Sequence, residues 1–269
     1  MSVKIIFSDI DGTFVTTDKK ITPKTEKAVK TLLEKNLKFV LVSARMPDAI
    51  YSVTDLIDLP RIPVISYSGA LVLTEDGKIL YDRRISPEST KKVLEEIDKR
   101  WTNITVSYYA EKKCFVRAID ENVEYEMNTT KTGAEVVNFD ELIGKNILPN
   151  KIFVVAIPPV CERVNRELEK IFPNLNVVRS SAYQLEIMDK GVSKADGIKV
   201  LLEHYGFKPE EAIAFGDNYN DVEMLQFIPQ SVAMGNAPDD IKKVAHAVTD
   251  TNEESGIYTY LVKAGVIEP

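Results

Sequence analysis

The sequence predicts an α/β fold, a doubly wound parallel sheet with an α+β domain inserted into it. Three observations support this prediction. Short apolar runs of strand length alternate with segments of helical period. Each run is followed at once by polar or glycine-containing sequence. The middle of the chain departs from both patterns.

The predicted strands of the parallel sheet are short runs rich in Val and Ile, as expected for strands buried on both faces. They are residues 3–8, 38–43, 63–66, 212–215 and 231–234. The carboxyl ends of parallel strands meet at one edge of a sheet, where open α/β sheets bind their ligands. The polar residues that follow these strands are therefore the candidates for a functional site.

The predicted helices have clear ends. Thr22 and Ser86 each supply a cap hydroxyl before a proline, which is favoured at the first helical position. Ser193 and Asp196 resemble a capping box, and Gly206 is placed to end the same helix. Helices alternating with buried strands are typical of the crossovers in a parallel sheet.

The inserted domain is recognised by a change of pattern. Its strands look amphipathic, as in residues 105–109, and they alternate with polar helices. Buried-strand sequence resumes only after Gly191. We therefore predict a core formed by residues 1–83 and 189–269, with residues 84–188 inserted between them.

The composition excludes several classes of partner. The 269 residues include 34 Lys and Arg against 41 Asp and Glu, for a formal net charge of −7. Without a basic run, neither nucleic acid nor an anionic membrane surface is an expected partner. No apolar run approaches the roughly 18 residues of a membrane span. We expect a cytoplasmic protein that is a monomer or a weak homodimer, with Cys114 and Cys161 as free thiols.

The first chemical motif follows the first predicted strand. Asp9 is placed to attack phosphorus as an anionic carboxylate, and Asp11 to protonate a leaving oxygen. Gly12 permits a tight turn toward an anion, and Thr13 adds a hydroxyl donor. Alternatively, this segment is only a solvated turn. A calcium loop is excluded, because Lys20 stands where a bidentate Glu is required.

A second acidic cluster, residues 216–221, follows the strand at 212–215. Asp217 and Asp9, from separate strand ends, offer the oxygen ligands that Mg²⁺ prefers. The alternative is that Asp217 or Asn218 only caps the next helix. Ser43 at a strand end and Lys194 at a helix start are suited to bind phosphate, although each has an ordinary structural explanation as a cap or a solvated charge.

Taken in chain order, residues 9–13, Ser43, Lys194 and residues 216–221 resemble the motifs of the haloacid dehalogenase superfamily, and the resemblance covers essentially the whole chain. The insert resembles the C2B cap of the Cof-like phosphatases. The resemblance implies a Rossmann-like core in which Asp9 is the nucleophile. It also implies that Asp11 is the general acid and base, which ligates Mg²⁺ through its main-chain carbonyl, and that Asp217 is another metal ligand.

The resemblance also implies how the phosphoryl group is bound. Asp221 orients its neighbours, while the phosphate is held by the amides of Ile10 and Ala44 and by the side chains of Ser43, Lys194 and Asn220, with the Thr13 hydroxyl nearby. The sequence departs from the family pattern at three positions: Ser68 stands where Asn is frequent, and Ala44 and Ala195 stand where Gly is frequent.

The predicted activity is Mg²⁺-dependent hydrolysis of a small phosphorylated metabolite, a sugar phosphate or a phosphorylated cofactor, through an aspartyl-phosphate. One alternative is a phosphomutase, which uses the same aspartate chemistry. Another is a non-catalytic protein that binds a phosphorylated metabolite. The inserted domain offers four candidate substrate contacts, Tyr108, Tyr109, Arg117 and Tyr183, although aromatic residues in strands more often belong to the core.

Overall fold

The computed structural model describes residues 3–269, which divide into two compact units. Of the described residues, the first unit contains 3–45, 50–81 and 193–269. The second contains residues 46–49 and 82–192. Strands and helices alternate along most of the chain, and the α/β fold class predicted from the sequence is confirmed.

The strands are named in chain order. They are β1 Ile5–Ser8, β2 Lys38–Val42, β3 Val64–Ser66, β4 Leu71–Leu73, β5 Ile79–Asp82, β6 Thr105–Ala110, β7 Lys113–Val116, β8 Glu135–Val136, β9 Lys151–Val155, β10 Leu175–Arg179, β11 Gln184–Asp189, β12 Ala212–Gly216, β13 Gln230–Ala233 and β14 Ala247–Val248. Five of them, β1, β2, β3, β12 and β13, match the predicted strands of the parallel sheet to within about two residues at each end.

The α-helices, named in chain order, include the three whose caps were predicted. They are α1 Pro23–Glu34, α2 Pro47–Thr54, α3 Pro87–Arg100, α4 Glu121–Thr130, α5 Phe139–Gly144, α6 Pro158–Ile171, α7 Lys194–Tyr205, α8 Val222–Phe227, α9 Asp239–Val244 and α10 Gly256–Lys263. The hydroxyls of Thr22, Ser86 and Ser193 accept the capping hydrogen bonds of α1, α3 and α7. Gly206, in the left-handed conformation, ends α7 as predicted.

The sheet of the first unit has the order β14-β13-β12-β1-β2-β3-β4-β5. Strands β1 to β3 and β12 to β14 are parallel, whereas β4 runs antiparallel to β3. Ile5 of β1 pairs with Lys38 on one side and Ala212 on the other. Strands β2 and β3 lie on one side of β1, and β12 to β14 lie on the other. The strand order therefore reverses between β1 and β12, and a ligand site is expected at the carboxyl ends of these two strands.

The second unit has a six-stranded sheet of order β10-β11-β9-β6-β7-β8. The expectation that residues 105–109 form an amphipathic strand is wrong, because every residue of β6 is buried. On one face Tyr108 packs into a hydrophobic core. On the other, Tyr109 meets the edge of Phe153, and the Thr105 hydroxyl donates to Asp120 at the start of α4. Both faces are covered, so polar residues in the strand are no sign of exposure.

No helix in the described part of the chain is long and apolar enough to span a membrane. Cys114 and Cys161 are free thiols, as predicted, and both are buried. Burial raises the pKa of the Cys114 thiol to about 11, so at neutral pH it stays protonated and poorly nucleophilic.

Candidate active site

The loop after β1 places Asp9 at the carboxyl edge of the sheet. The Asp9 amide donates to the Phe215 carbonyl of β12 at 3.0 Å, which extends the parallel pairing to the start of the loop. Gly12 has a φ of +85°, and a Cβ there would lie 2.3 Å from Oδ2 of Asp217. Only glycine fits this turn, because it combines a left-handed backbone with a close approach to a carboxylate.

Lys194 links two acidic residues from different parts of the chain. Its Nζ lies 2.5 Å from Oδ1 of Asp9 and 2.6 Å from Oδ1 of Asp221. The side chains of Lys194 and Asp221 are completely buried, and that of Asp9 is 8% exposed. The desolvated ammonium is thus neutralised by two carboxylates, whose charges raise the pKa of Lys194 despite its burial.

The position of Asp217 is fixed by residues in the loops that follow β1 and β12. The Thr13 hydroxyl donates to Oδ1 of Asp217 at 2.7 Å. Oδ2 of Asp221 accepts hydrogen bonds from the amides of Asp217 and Asn218 at 2.9 and 3.0 Å. Asp221 therefore folds the loop that presents Asp217, and its two oxygens are already engaged by Lys194 and by these amides.

Asp9, Asp217 and Asp221 offer carboxylate oxygens that lie within 4.8 Å of one another. Since Asp221 is saturated with hydrogen bonds, Asp9 and Asp217 are the better ligands for a cation. Burial, reinforced by the neighbouring carboxylates and opposed by Lys194, raises the pKa of Asp9 well above its ordinary value. Burial also raises the pKa of Asp217, to about 6. A hard divalent cation fits this set of donors, because it would compensate the excess negative charge.

Asp11 points to different partners. Nε of Arg45 donates to Oδ2 of Asp11 at 2.9 Å, and Nη2 of Arg45 donates to Oδ1 at 2.6 Å. Nζ of Lys19 also donates to Oδ1, at 2.7 Å. The pKa of Asp11 lies below its ordinary value. Burial acts to raise this pKa, but the hydrogen bonds and positive charges of Arg45 and Lys19 have the larger combined effect. Neither cation was predicted from the sequence. The available signal was the position of Arg45, which lies two residues after Ser43 at the same strand end.

The remaining predicted residues surround this edge of the sheet. Ser43 is buried at the end of β2, and its hydroxyl accepts the Arg45 amide at 3.2 Å. The buried Ile10 carbonyl accepts the amides that close the turn after Asp9. Ala44 follows Ser43 and is half-buried, whereas Asn220 is exposed in the short 3-10 turn before α8. The Thr13 hydroxyl is engaged with Asp217.

Two asparagines that were not predicted from the sequence also contact this loop. The Asn236 amide donates to the Gly12 carbonyl at 2.8 Å, and that of Asn252 to the Val15 carbonyl at 2.9 Å. Asn236 lies three residues beyond the end of β13, so its position shortly after a buried strand was the available signal. Asn252 lies beyond β14, and nothing in its local sequence indicated the contact.

The second unit holds the four candidate substrate contacts in different environments. Tyr108 is completely buried, and its hydroxyl donates to the Ile147 carbonyl at 2.6 Å, which indicates a core role. Tyr109 is also buried, against Phe153. Arg117 is paired with Asp98. Tyr183 is 56% exposed.

Comparisons with known proteins show which family the chain is similar to. The chain matches the haloacid dehalogenase-like hydrolases over residues 6–261. A Haemophilus influenzae protein named "Putative phosphatase" is 33% identical over 258 residues, 96% of each chain. A Bacillus subtilis 5-amino-6-(5-phospho-D-ribitylamino)uracil phosphatase is 27% identical over 266 residues, also 96% of each.

A solved structure described as a haloacid dehalogenase subclass IIB sugar phosphatase aligns with a TM-score of 0.84 and 26% identity, covering 98% of this chain and 100% of that one. The likeness therefore extends over both units and not only over the acidic cluster. Fold, motif order and sequence match lead to the same assignment. This chain belongs to the haloacid dehalogenase-like hydrolase family.

Proposed function

We propose that this hydrolase is a Mg²⁺-dependent phosphatase that acts on a small phosphorylated metabolite through an aspartyl-phosphate on Asp9. The observation that carries the proposal is the buried Lys194 between Asp9 and Asp221, with Asp217 beside them. A carboxylate held at a strand end next to a fixed cation is suited to attack phosphorus. The relatives described as phosphatases, one of them a sugar phosphatase, support a sugar phosphate or a phosphorylated cofactor as substrate.

In the first step an oxygen of Asp9 forms a bond to phosphorus while the ester P–O bond breaks. Lys194 keeps the attacking carboxylate oriented. The side chains of Asp9 and Asp217 and the main-chain carbonyl of Asp11 would hold Mg²⁺, which when bound supplies positive charge against the phosphate dianion. Asp11 gives a proton to the leaving oxygen, and in the second step it takes one from the water that hydrolyses the aspartyl-phosphate.

The residues proposed to hold the transferred phosphoryl group are Ser43, Thr13, Lys194, Asn220 and the amides of Ile10 and Ala44. Before Asp11 can hold a proton, it must release at least part of its contact with Arg45 and Lys19, because these cations stabilise its ionised form. Asp221 acts indirectly, by fixing Lys194 and the loop of Asp217.

We assign the chemistry to residues 1–83 and 189–269, and the choice of metabolite to residues 84–188 as a cap domain. The described acidic cluster lies wholly within the first of these parts. The second part has its own sheet and its own hydrophobic core, so it is able to vary independently of the chemistry.

The test of the proposed function is a screen for phosphate release over a panel of sugar phosphates and phosphorylated cofactors. We expect at least one metabolite to be hydrolysed when Mg²⁺ is present. Activity should disappear in excess EDTA and return when Mg²⁺ is added. The physical reason is that the phosphate dianion and the Asp9 carboxylate repel each other at contact distance, and the cation offsets this repulsion. Full turnover by metal-free protein would contradict the proposal, as would strict transfer to a second sugar instead of water.

Metal binding should weaken in acid. With the pKa of Asp217 at about 6, a proton occupies this ligand below that pH and must leave when the cation binds. From Asp217 alone, we expect the Kd for Mg²⁺ to be about tenfold higher at pH 5 than at pH 7. The raised pKa of Asp9 acts in the same direction. Isothermal titration calorimetry (ITC) of metal-free protein measures the Kd for Mg²⁺ at each pH. A Kd that is the same at pH 5 and pH 7 would exclude Asp217 as a ligand.

The role of Asp11 is tested with two substrates of different leaving groups. An aryl oxide departs as a stable anion and hardly needs a proton, whereas a sugar alkoxide does. Asp11→Asn should therefore slow the first step much more for a sugar phosphate than for p-nitrophenyl phosphate. With the aryl substrate, a burst of p-nitrophenol should precede a slow steady state in rapid-quench experiments. Equal losses on both substrates would show that Asp11 is not the acid.

A further inference from the structure

The turn formed by residues 12–15 is held at both ends by asparagine side chains from a distant part of the chain. Nδ2 of Asn236 donates to the Gly12 carbonyl at 2.8 Å. Nδ2 of Asn252 donates to the Val15 carbonyl at 2.9 Å. These two bonds fix the first and last carbonyls of the turn that follows Asp9 and Asp11.

The two asparagines are also joined to each other. The backbone amide of Asn252 donates to Oδ1 of Asn236 at 3.1 Å. This bond orients the Asn236 side chain so that its NH₂ group faces Gly12. Asn252 is only 8% exposed, and its loop is anchored by the bond from the Gly235 amide to the Asp250 carbonyl at 3.0 Å. The pair is therefore supported by the fold and is not a chance surface contact.

The turn in question contacts both oxygens of Asp217. Its Thr13 hydroxyl donates to Oδ1 at 2.7 Å. Its Gly12 backbone lies against Oδ2, since a Cβ on Gly12 would come within 2.3 Å of that atom. The orientation of the Asp217 carboxylate thus depends on where residues 12–15 are held.

We propose that Asn236 and Asn252 are positioning residues of the metal site, which hold the turn so that Asp217 presents a correctly oriented ligand. This inference rests on the proposed function, because it assumes that Asp217 binds Mg²⁺. Neither asparagine is itself a ligand. Loss of either bond lets the turn shift, and the cost appears in cation affinity before it appears in substrate recognition.

The test measures Mg²⁺ binding to metal-stripped protein by ITC, independently of activity. We expect Asn236→Ala and Asn252→Asp each to raise the Kd for Mg²⁺ about tenfold, because each removes a hydrogen bond to the turn that supports Asp217. Saturating Mg²⁺ should restore most of kcat, with the substrate KM little changed. The matched control is Asn174→Ala, which removes a 3.0 Å bond to Ser89 in the other unit and should leave the Kd unchanged.

A double-mutant cycle with Thr13→Val tests whether the asparagines act through Thr13. If they do, the Kd of Asn252→Asp combined with Thr13→Val should match that of Thr13→Val alone. Full additivity, or a Kd within twofold of wild type in the folded single variants, would overturn the inference. If Asn252→Asp does not fold, Asn236→Ala at the exposed position carries the test. Wild-type protein that binds no Mg²⁺ would instead overturn the proposed function.

Discussion

Asp9→Asn should lower turnover by several powers of ten while the protein stays folded. The amide has nearly the shape of the carboxylate but is not a nucleophile toward phosphorus. The raised pKa of Asp9 means that ionised Asp9 costs folding free energy at neutral pH, a cost that is relieved as the pH falls. The melting temperature of metal-free Asp9→Asn at neutral pH should therefore equal or exceed that of wild type.

The measurements are single-turnover phosphate release at saturating Mg²⁺ and a thermal melt in EDTA. Asp98→Asn, which changes an exposed carboxylate paired with Arg117, is the matched control and should keep its turnover. Undiminished turnover in Asp9→Asn would show that another group attacks phosphorus. A large drop in melting temperature would show that Asp9 acts mainly in stabilising the fold.

Lys194→Met should have the largest effect on stability. The methionine fills a similar volume, but Asp9 and Asp221 lose their shared cation in a site where Lys194 and Asp221 are fully buried. Breaking a buried ion pair by removing one partner typically costs about 3–5 kcal/mol. Turnover should also fall, on the order of a hundredfold or more, because the charge beside the reacting phosphorus is lost.

Chemical denaturation with and without Mg²⁺ measures the loss of unfolding free energy in Lys194→Met. Added Mg²⁺ should recover part of the lost stability, since it supplies positive charge to the same carboxylates. Lys199→Met is the matched control in helix α7, where the lysine is 53% exposed and pairs with Asp196 at the surface. It should change stability by less than about 0.5 kcal/mol. Equal losses in the two variants would indicate a general effect of the helix.

The sequence predicted those features that depend on local chemistry. The caps of α1 and α7 could be identified at Thr22 and Ser193 because a hydroxyl just before a helix accepts a backbone amide of its first turn. The cations that bind Asp11 could not, since Arg45 and Lys19 look like ordinary surface residues until the fold brings them to one carboxylate. The burial of β6 was missed for the same reason, because alternation shows the polarity of a strand and not what covers it.

The pairing of β1 sets an order in which the chain can fold. Ile5 meets Lys38 early in synthesis, but its other neighbour, Ala212, is made only after the entire second unit. Until then one edge of an apolar strand lacks its partner, which favours chaperone binding or aggregation. Asp9 likewise meets Lys194 and Asp217 only at this late stage. A nascent chain should therefore be unable to hydrolyse phosphate esters before its fold is nearly complete.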